Sequence, residues 1–294
     1  MIATQPKLLA LLEDANLLPP NLCKQPETLV TTRPTSTPKA QADLTINMLG
    51  SVEIFRDPLR PFDADAWTTR RAHDILCFIA SRKHRRASKD AIIETFWGEA
   101  DFDVIAKSFH VTVSHIRKAL NSNQSLKQNF LLYRDGDYLL NPEFVYSIDI
   151  EKFDRLATEG ESARGAREMD RCVSFCEAAV DLYRGEFMHG CYDEWVEEQR
   201  SHYNERYLHM LEILAGVAFG QNEWLRTLQL AHQILRDDPY REDIHCLVMR
   251  THAAQGNRAA VKEQYEKLRE LLQRELGLAP AVETQRVYRQ MLDQ

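Results

Sequence analysis

The chain has 294 residues, 44% of them hydrophobic and 28% charged, with a formal net charge of −7. That length allows two or three domains with real cores, and the composition fits a globular chain rather than a disordered one. No apolar run approaches the roughly 20 residues that cross a bilayer, and the opening "MIATQPKLLALLEDANLLPP" is a poor export signal because Glu13 and Asp14 break its apolar run.

These first residues read instead as a short amphipathic extension, residues 1–23. The Pro/Thr/Ser-rich stretch 24–43, "KQPETLVTTRPTSTPKAQAD", reads as a linker. From Leu44 the text is strand-like, with "LTINML", "SVEIFR" and "DPLRPF" as three short strands. After Asp63–Asp65, which can cap a helix, "AWTTRRAHDILCFIASR" carries Ile75, Leu76, Phe78 and Ile79 at helical spacing. Ser88 then caps "KDAIIETFW", and Gly98 ends it.

The next segment contains "SFHVTVSHIRKAL", residues 108–120, which alternates like a strand at Phe109, Val111 and Val113. Phe109, Val113, Ile116 and Leu120 nevertheless fall on one helical stripe, and only a helix explains the last two. Residues 103–121 are therefore a third helix. At about 100° per residue, its opposite face carries Lys107, Val111, Ser114, His115 and Lys118, with Thr112 and Arg117 on the flanks. "NFLLYRDGDYLLN" follows as two strands around an Asp-Gly turn.

Strands, three helices and a hairpin in this order make a winged helix-turn-helix, residues 44–146, whose third helix enters the major groove. Lys107, Arg117 and Lys118 can neutralise phosphates. Val111, Ser114 and His115 are candidates for reading base edges, and Arg134 at the hairpin tip for the minor groove. The densest basic run, "SRKHRRASK" at 81–89, reads as a solvated loop, with Arg85 and Arg86 as secondary phosphate candidates. Residues 44–142 carry a net +2 and residues 143–294 a net −9, so nucleic-acid contact belongs to the former.

From Ile148 the strand text stops and only helices remain, with breaks at Gly185, Asn222, Asp238–Pro239, Gly256 and Gly277–Pro280. A shift of 34 residues places Leu225 on Ala259, Ala231 on Tyr265 and Ile234 on Leu268, the tetratricopeptide period. The fold class expected is mostly α with a small β component, a winged helix followed by an all-α tetratricopeptide-like repeat domain.

The stretches "SFHVTVSHIRKAL" and "LLYRDGDYLL" resemble the recognition helix and wing of the OmpR/PhoB-type DNA-binding domain. "SIDIEKFDRLATEGESA", "AAVDLYRGEFMHGCYDEWVEEQRSHY" and "HAAQGNRAAVKEQYEKLRELLQRELGLAP" resemble the bacterial transcriptional activator domain, residues 147–294. Together they resemble the SARP family of bacterial transcriptional activators, from about Leu44 to Gln294. The resemblance implies binding to repeats in double-stranded promoter DNA, with a homodimer on DNA among the arrangements it allows. It also implies recruitment of RNA polymerase, for which the loop "WGEADFD", residues 97–103, matches the contacting region. Val111, Thr112, Ser114, His115 and Arg117 fall on DNA-touching family positions and Arg134 on the wing arginine. Ser114 and His115 stand where arginine is frequent.

A small-molecule or protein effector could act at the helical repeats, where Trp195, Tyr203, Tyr207, Trp224 and Tyr240 are candidates for a groove but more in keeping with a core. One alternative is a protein-interaction scaffold whose winged helix does not read DNA sequence. An enzyme is not expected, nor a cofactor, metal or membrane partner, and the location expected is cytoplasmic. No HExxH, GxSxG or glycine-rich phosphate loop occurs. The six cysteines read as reduced thiols, since neither Cys172 with Cys176 nor His189 with Cys191 completes a usual ligand set.

Overall fold

The computed structural model describes residues 42–57, 60–61, 67–98, 100–121 and 129–293. The N-terminal extension, most of the linker and the Asp63–Asp65 cap lie outside them. Strands β1 (Leu44–Asn47), β2 (Glu53–Asp57) and β3 (Arg60–Pro61) come first. Helix α1 (Arg70–Ser81), strand β4 (Arg86–Ser88), and helices α2 (Lys89–Trp97) and α3 (Phe102–Leu120) follow. The hairpin β5 (Leu131–Arg134) and β6 (Asp137–Leu140) precedes β7 (Tyr146–Ile148). The rest is helical: α4 (Asp149–Gly165), α5 (Met169–Leu182), α6 (Glu194–Gly220), α7 (Trp224–Asp237), α8 (Glu242–Ala254), α9 (Arg258–Leu276) and α10 (Val282–Asp293). The fold is the expected one, mostly α with a small β component.

The described residues form two compact units. One comprises the chain up to Arg155 together with Leu182–Tyr203, the other Leu156–Asp181 with Asn204–Gln294. In the first, a sheet of order β3-β2-β1-β7 has β1 antiparallel to β2 and parallel to β7. The Asp149 carboxylate, almost fully buried, accepts backbone N–H bonds from Met48 (2.7 Å), Leu49 (2.8 Å) and Ile150 (2.8 Å). Those donors would otherwise be orphaned in the core, which is the cost this side chain removes.

The stretch after α5 is stitched to the β1–β2 turn by Met188 N–H to Met48 O (2.7 Å) and His189 N–H to Gly50 O (2.9 Å). Gly50 holds φ +117°, a conformation that side chains rarely adopt, so the backbone there calls for glycine. Trp195 packs edge-on to Phe78, with ring centroids 5.1 Å apart, and also lies against Phe96.

The second sheet, β4-β6-β5, is the wing. Its turn residues Asp135 and Gly136 both have positive φ, as a tight two-residue hairpin demands. In the helical unit, Asn222 and Gly256 sit 34 residues apart and both adopt positive φ ahead of α7 and α9. Thr227 and Val261, then Ile234 and Leu268, are equivalent and fully buried, whereas Leu225 and Ala259 are both exposed. The 34-residue period is thus a packing period.

Gly160 lies inside α4, where a Cβ would come within 2.8 Å of Cys176 Sγ, so glycine permits a close approach to α5. Arg167, with a left-handed φ of 62°, separates α4 from α5.

Candidate nucleic-acid interface

Helix α3 buries Phe109, Val113, Ile116 and Leu120, each 4% exposed or less. The stripe that distinguishes helix from strand is therefore the one that faces the core. Trp97 and Tyr138 rings flank Phe109 at 5.6 and 5.5 Å, joining α2, α3 and the wing around a single aromatic. The Trp97 indole N–H also donates to Ser108 Oγ (2.7 Å).

Of the eight residues assigned to DNA, Lys107, Val111, Ser114, Lys118 and Arg134 are exposed. Val111 exposes 53% of its surface, far more than an aliphatic side chain with a core to enter. Arg117 is exposed as a residue, yet its Nε and Nη2 both donate to Leu131 O at 3.3 Å, fastening α3 to β5. His115 is half-buried, and its Nδ1 is enclosed without a hydrogen-bond partner among the described residues. Thr112 is the correction. It is only 7% exposed and its hydroxyl donates to Ser108 O (2.8 Å), because its position on the wheel lies nearer the buried stripe than the outer face.

Val104 and His110, both exposed on α3, escaped the sequence assignment. Val104 (55% exposed) continues the series Lys107, Val111, Ser114, Lys118, and His110 lies on the flank of the same face. The helical wheel carried the signal for both. The secondary candidates Arg85 and Arg86 are already engaged. Arg85 forms a two-bond pair with Glu151 (2.8 Å each), and Arg86 pairs with Asp137.

At the start of α1, Arg70 donates to Gly190 O (2.5 Å) and pairs with Asp74 (3.5 Å). Asp74, Cys191 and Asp193 offer ligand atoms within 4.8 Å of one another, and Arg70 already brings a cation to them. Among the proposed groove aromatics, Tyr203 and Tyr207 are buried, Trp195 and Trp224 half-buried, and Tyr240 exposed. No described helix is long and apolar enough to cross a membrane.

The wing, the exposed α3 face and the strand–helix order define a winged-helix domain. Residues 63–140 match the family described as transcriptional regulatory protein, C terminal, and residues 148–292 match the bacterial transcriptional activator domain. The chain belongs to the SARP family of transcriptional regulators. It is similar to the regulatory protein AfsR of Streptomyces coelicolor, 24% identical over 85% of this chain and 24% of AfsR. It is also similar to the transcriptional regulator RedD of the same species, 23% identical over 85% of this chain and 70% of RedD. The chain thus spans about a quarter of the AfsR length. The structure of Mycobacterium tuberculosis EmbR in complex with a low-affinity phosphopeptide has the same fold, with TM-score 0.70 and 19% identity over 86% of this chain and 65% of EmbR.

Proposed function

We propose that this protein activates transcription by binding repeated promoter sites through the outer face of α3 and the wing, and by contacting RNA polymerase. The observation that carries the reading is the two-sided α3. Its apolar stripe is consumed by the core, so Val111 and the two lysines are left with no structural task. Lys107 and Lys118 supply phosphate contacts, Val111 meets thymine methyls, Ser114 and His115 read base edges, and Arg134 enters the minor groove. Arg117 orients the helix against the wing while presenting charge at its flank. The connection between α2 and α3 is proposed to meet polymerase. There Asp101 is exposed and makes no side-chain cap bond to its own helix.

Selection of genomic fragments by the purified protein at two salt concentrations, followed by footprinting, tests this reading. Enrichment of sites with direct repeats supports it, and the repeat spacing reports how protomers are arranged. No salt-sensitive binding to any fragment would leave the protein-interaction scaffold in its place. The polymerase contact is tested separately in reconstituted transcription. Asp101→Ala is expected to lower transcript yield at unchanged DNA affinity.

A further inference from the structure

The basic run at residues 81–89 is the one strong sequence feature that the DNA reading does not absorb. In the structure its charges separate. Arg85 is neutralised by Glu151 and Arg86 by Asp137, and Lys89 lies over the Phe109 ring at 5.6 Å. Arg82 is different. Its guanidinium lies 4.2 Å over the Phe78 ring, it has no ion pair among the described residues, and its Nε is enclosed without an acceptor. Arg82 also lines a cleft of about 370 Å³, together with Phe78, Arg86, Ala87, Ala91, Glu94 and Thr95.

We infer that this cleft between α1, β4 and α2 binds a small oxyanion, a carboxylate or phosphate carried on a compact apolar body. An enclosed cationic donor with no acceptor costs free energy that a bound oxyanion would recover. Phe78, 4.2 Å from the guanidinium, occupies one side of it and offers no hydrogen-bond acceptor, so the N–H groups remain for the ligand oxygens. Phe78, Ala87 and Ala91 supply the apolar part of the wall, and the volume lies in the range of small-ligand sites. Glu94 in the same lining disfavours a second anionic group on the ligand. The inference stands apart from α3 and survives if α3 does not read DNA.

The test is isothermal titration of the full chain at matched ionic strength with phenyl phosphate, benzoate, inorganic phosphate and, as uncharged control, benzyl alcohol. Amide-shift mapping runs in parallel. The expected result is saturable binding of phenyl phosphate or benzoate, but not of benzyl alcohol, with shifts concentrated in residues 78–95. Comparing the two aromatic anions assigns the head group. Arg82→Gln is expected to weaken binding at least tenfold. Ala91→Leu, which fills the cleft without altering charge, is expected to abolish it while leaving DNA affinity intact. No saturable binding, equal binding by both variants, or saturation by inorganic phosphate with shifts elsewhere would overturn the inference. So would a loss of DNA affinity in Arg82→Gln as large as that in Lys118→Gln, which would assign Arg82 to the DNA backbone instead.

Discussion

At the scale of single residues, position decides what a side chain can do more firmly than its chemistry does. Thr112 and Ser114 are two residues apart and chemically alike. Thr112 spends its hydroxyl on Ser108 O and is buried, whereas Ser114 faces out. Thr112→Ser is therefore expected to leave DNA sequence preference unchanged in a binding-site selection. Gly160 illustrates the same point in the helical unit. Alanine is the better helix former by about 1 kcal/mol, yet its Cβ would sit 2.8 Å from Cys176 Sγ. The clash outweighs the propensity gain, and Gly160→Ala is expected to destabilise by about 1–3 kcal/mol in denaturant titration. A stability equal to or above the parent's would mean that α4 and α5 do not approach as closely as the structure shows.

At the scale of elements, α3 was legible from sequence because four apolar residues define its phase and no strand register puts Phe109 and Val113 on the same face as Ile116 and Leu120. Ile116 is fully buried at the centre of that stripe, so Ile116→Ala is expected to cost about 2–5 kcal/mol of unfolding free energy. The wing was legible through Asp135-Gly136. Strand β4 was not, since "RAS" has neither alternation nor β-branched residues and is extended only because β6 pairs with it. Strand β7 was missed because its pairing with β1 joins residues about a hundred positions apart, and local pattern carries no such information. The same limit applies to Leu182–Tyr203. Its helix-like text showed apolar positions but not that Phe187 and Trp195 pack with α1 and the β1–β2 turn. For the interface, the outward set on α3 was largely visible from the wheel. The bond from Arg117 to Leu131 O and the loss of Arg85 and Arg86 to ion pairs depended on long-range neighbours.

At the scale of the whole molecule, charge is partitioned by task. The mildly basic winged helix exposes Lys107, Lys118 and Arg134 on α3 and the wing tip, while the acidic helical unit uses charge to join helices. Glu212, nearly buried, receives Arg241 at 2.7 Å and lies 3.5 Å from His209, while Arg241 also pairs with Asp243. Burial pushes the Glu212 carboxyl up, but His209 and Arg241 more than offset it and hold it below its ordinary value of 4.5. A carboxylate so lowered adds stability above pH 4.5 and loses it as pH falls through the lowered value. Glu212→Gln is thus expected to cost about 1–3 kcal/mol near neutrality, with the gap to the parent closing in acid. A gap that does not narrow below pH 4.5 would exclude this ion pair as the cause. The central claim is that one face of α3 holds the fold and the other reads a duplex. Its most direct measurement is binding against salt concentration, on a selected site and on a random duplex, for the parent, Lys118→Ala and His115→Ala. Lys118→Ala should weaken both duplexes alike and reduce the salt slope by about 1, whereas His115→Ala should cost about 1–3 kcal/mol on the selected site alone. Parent-like affinities and slopes for both variants on both duplexes would contradict the account.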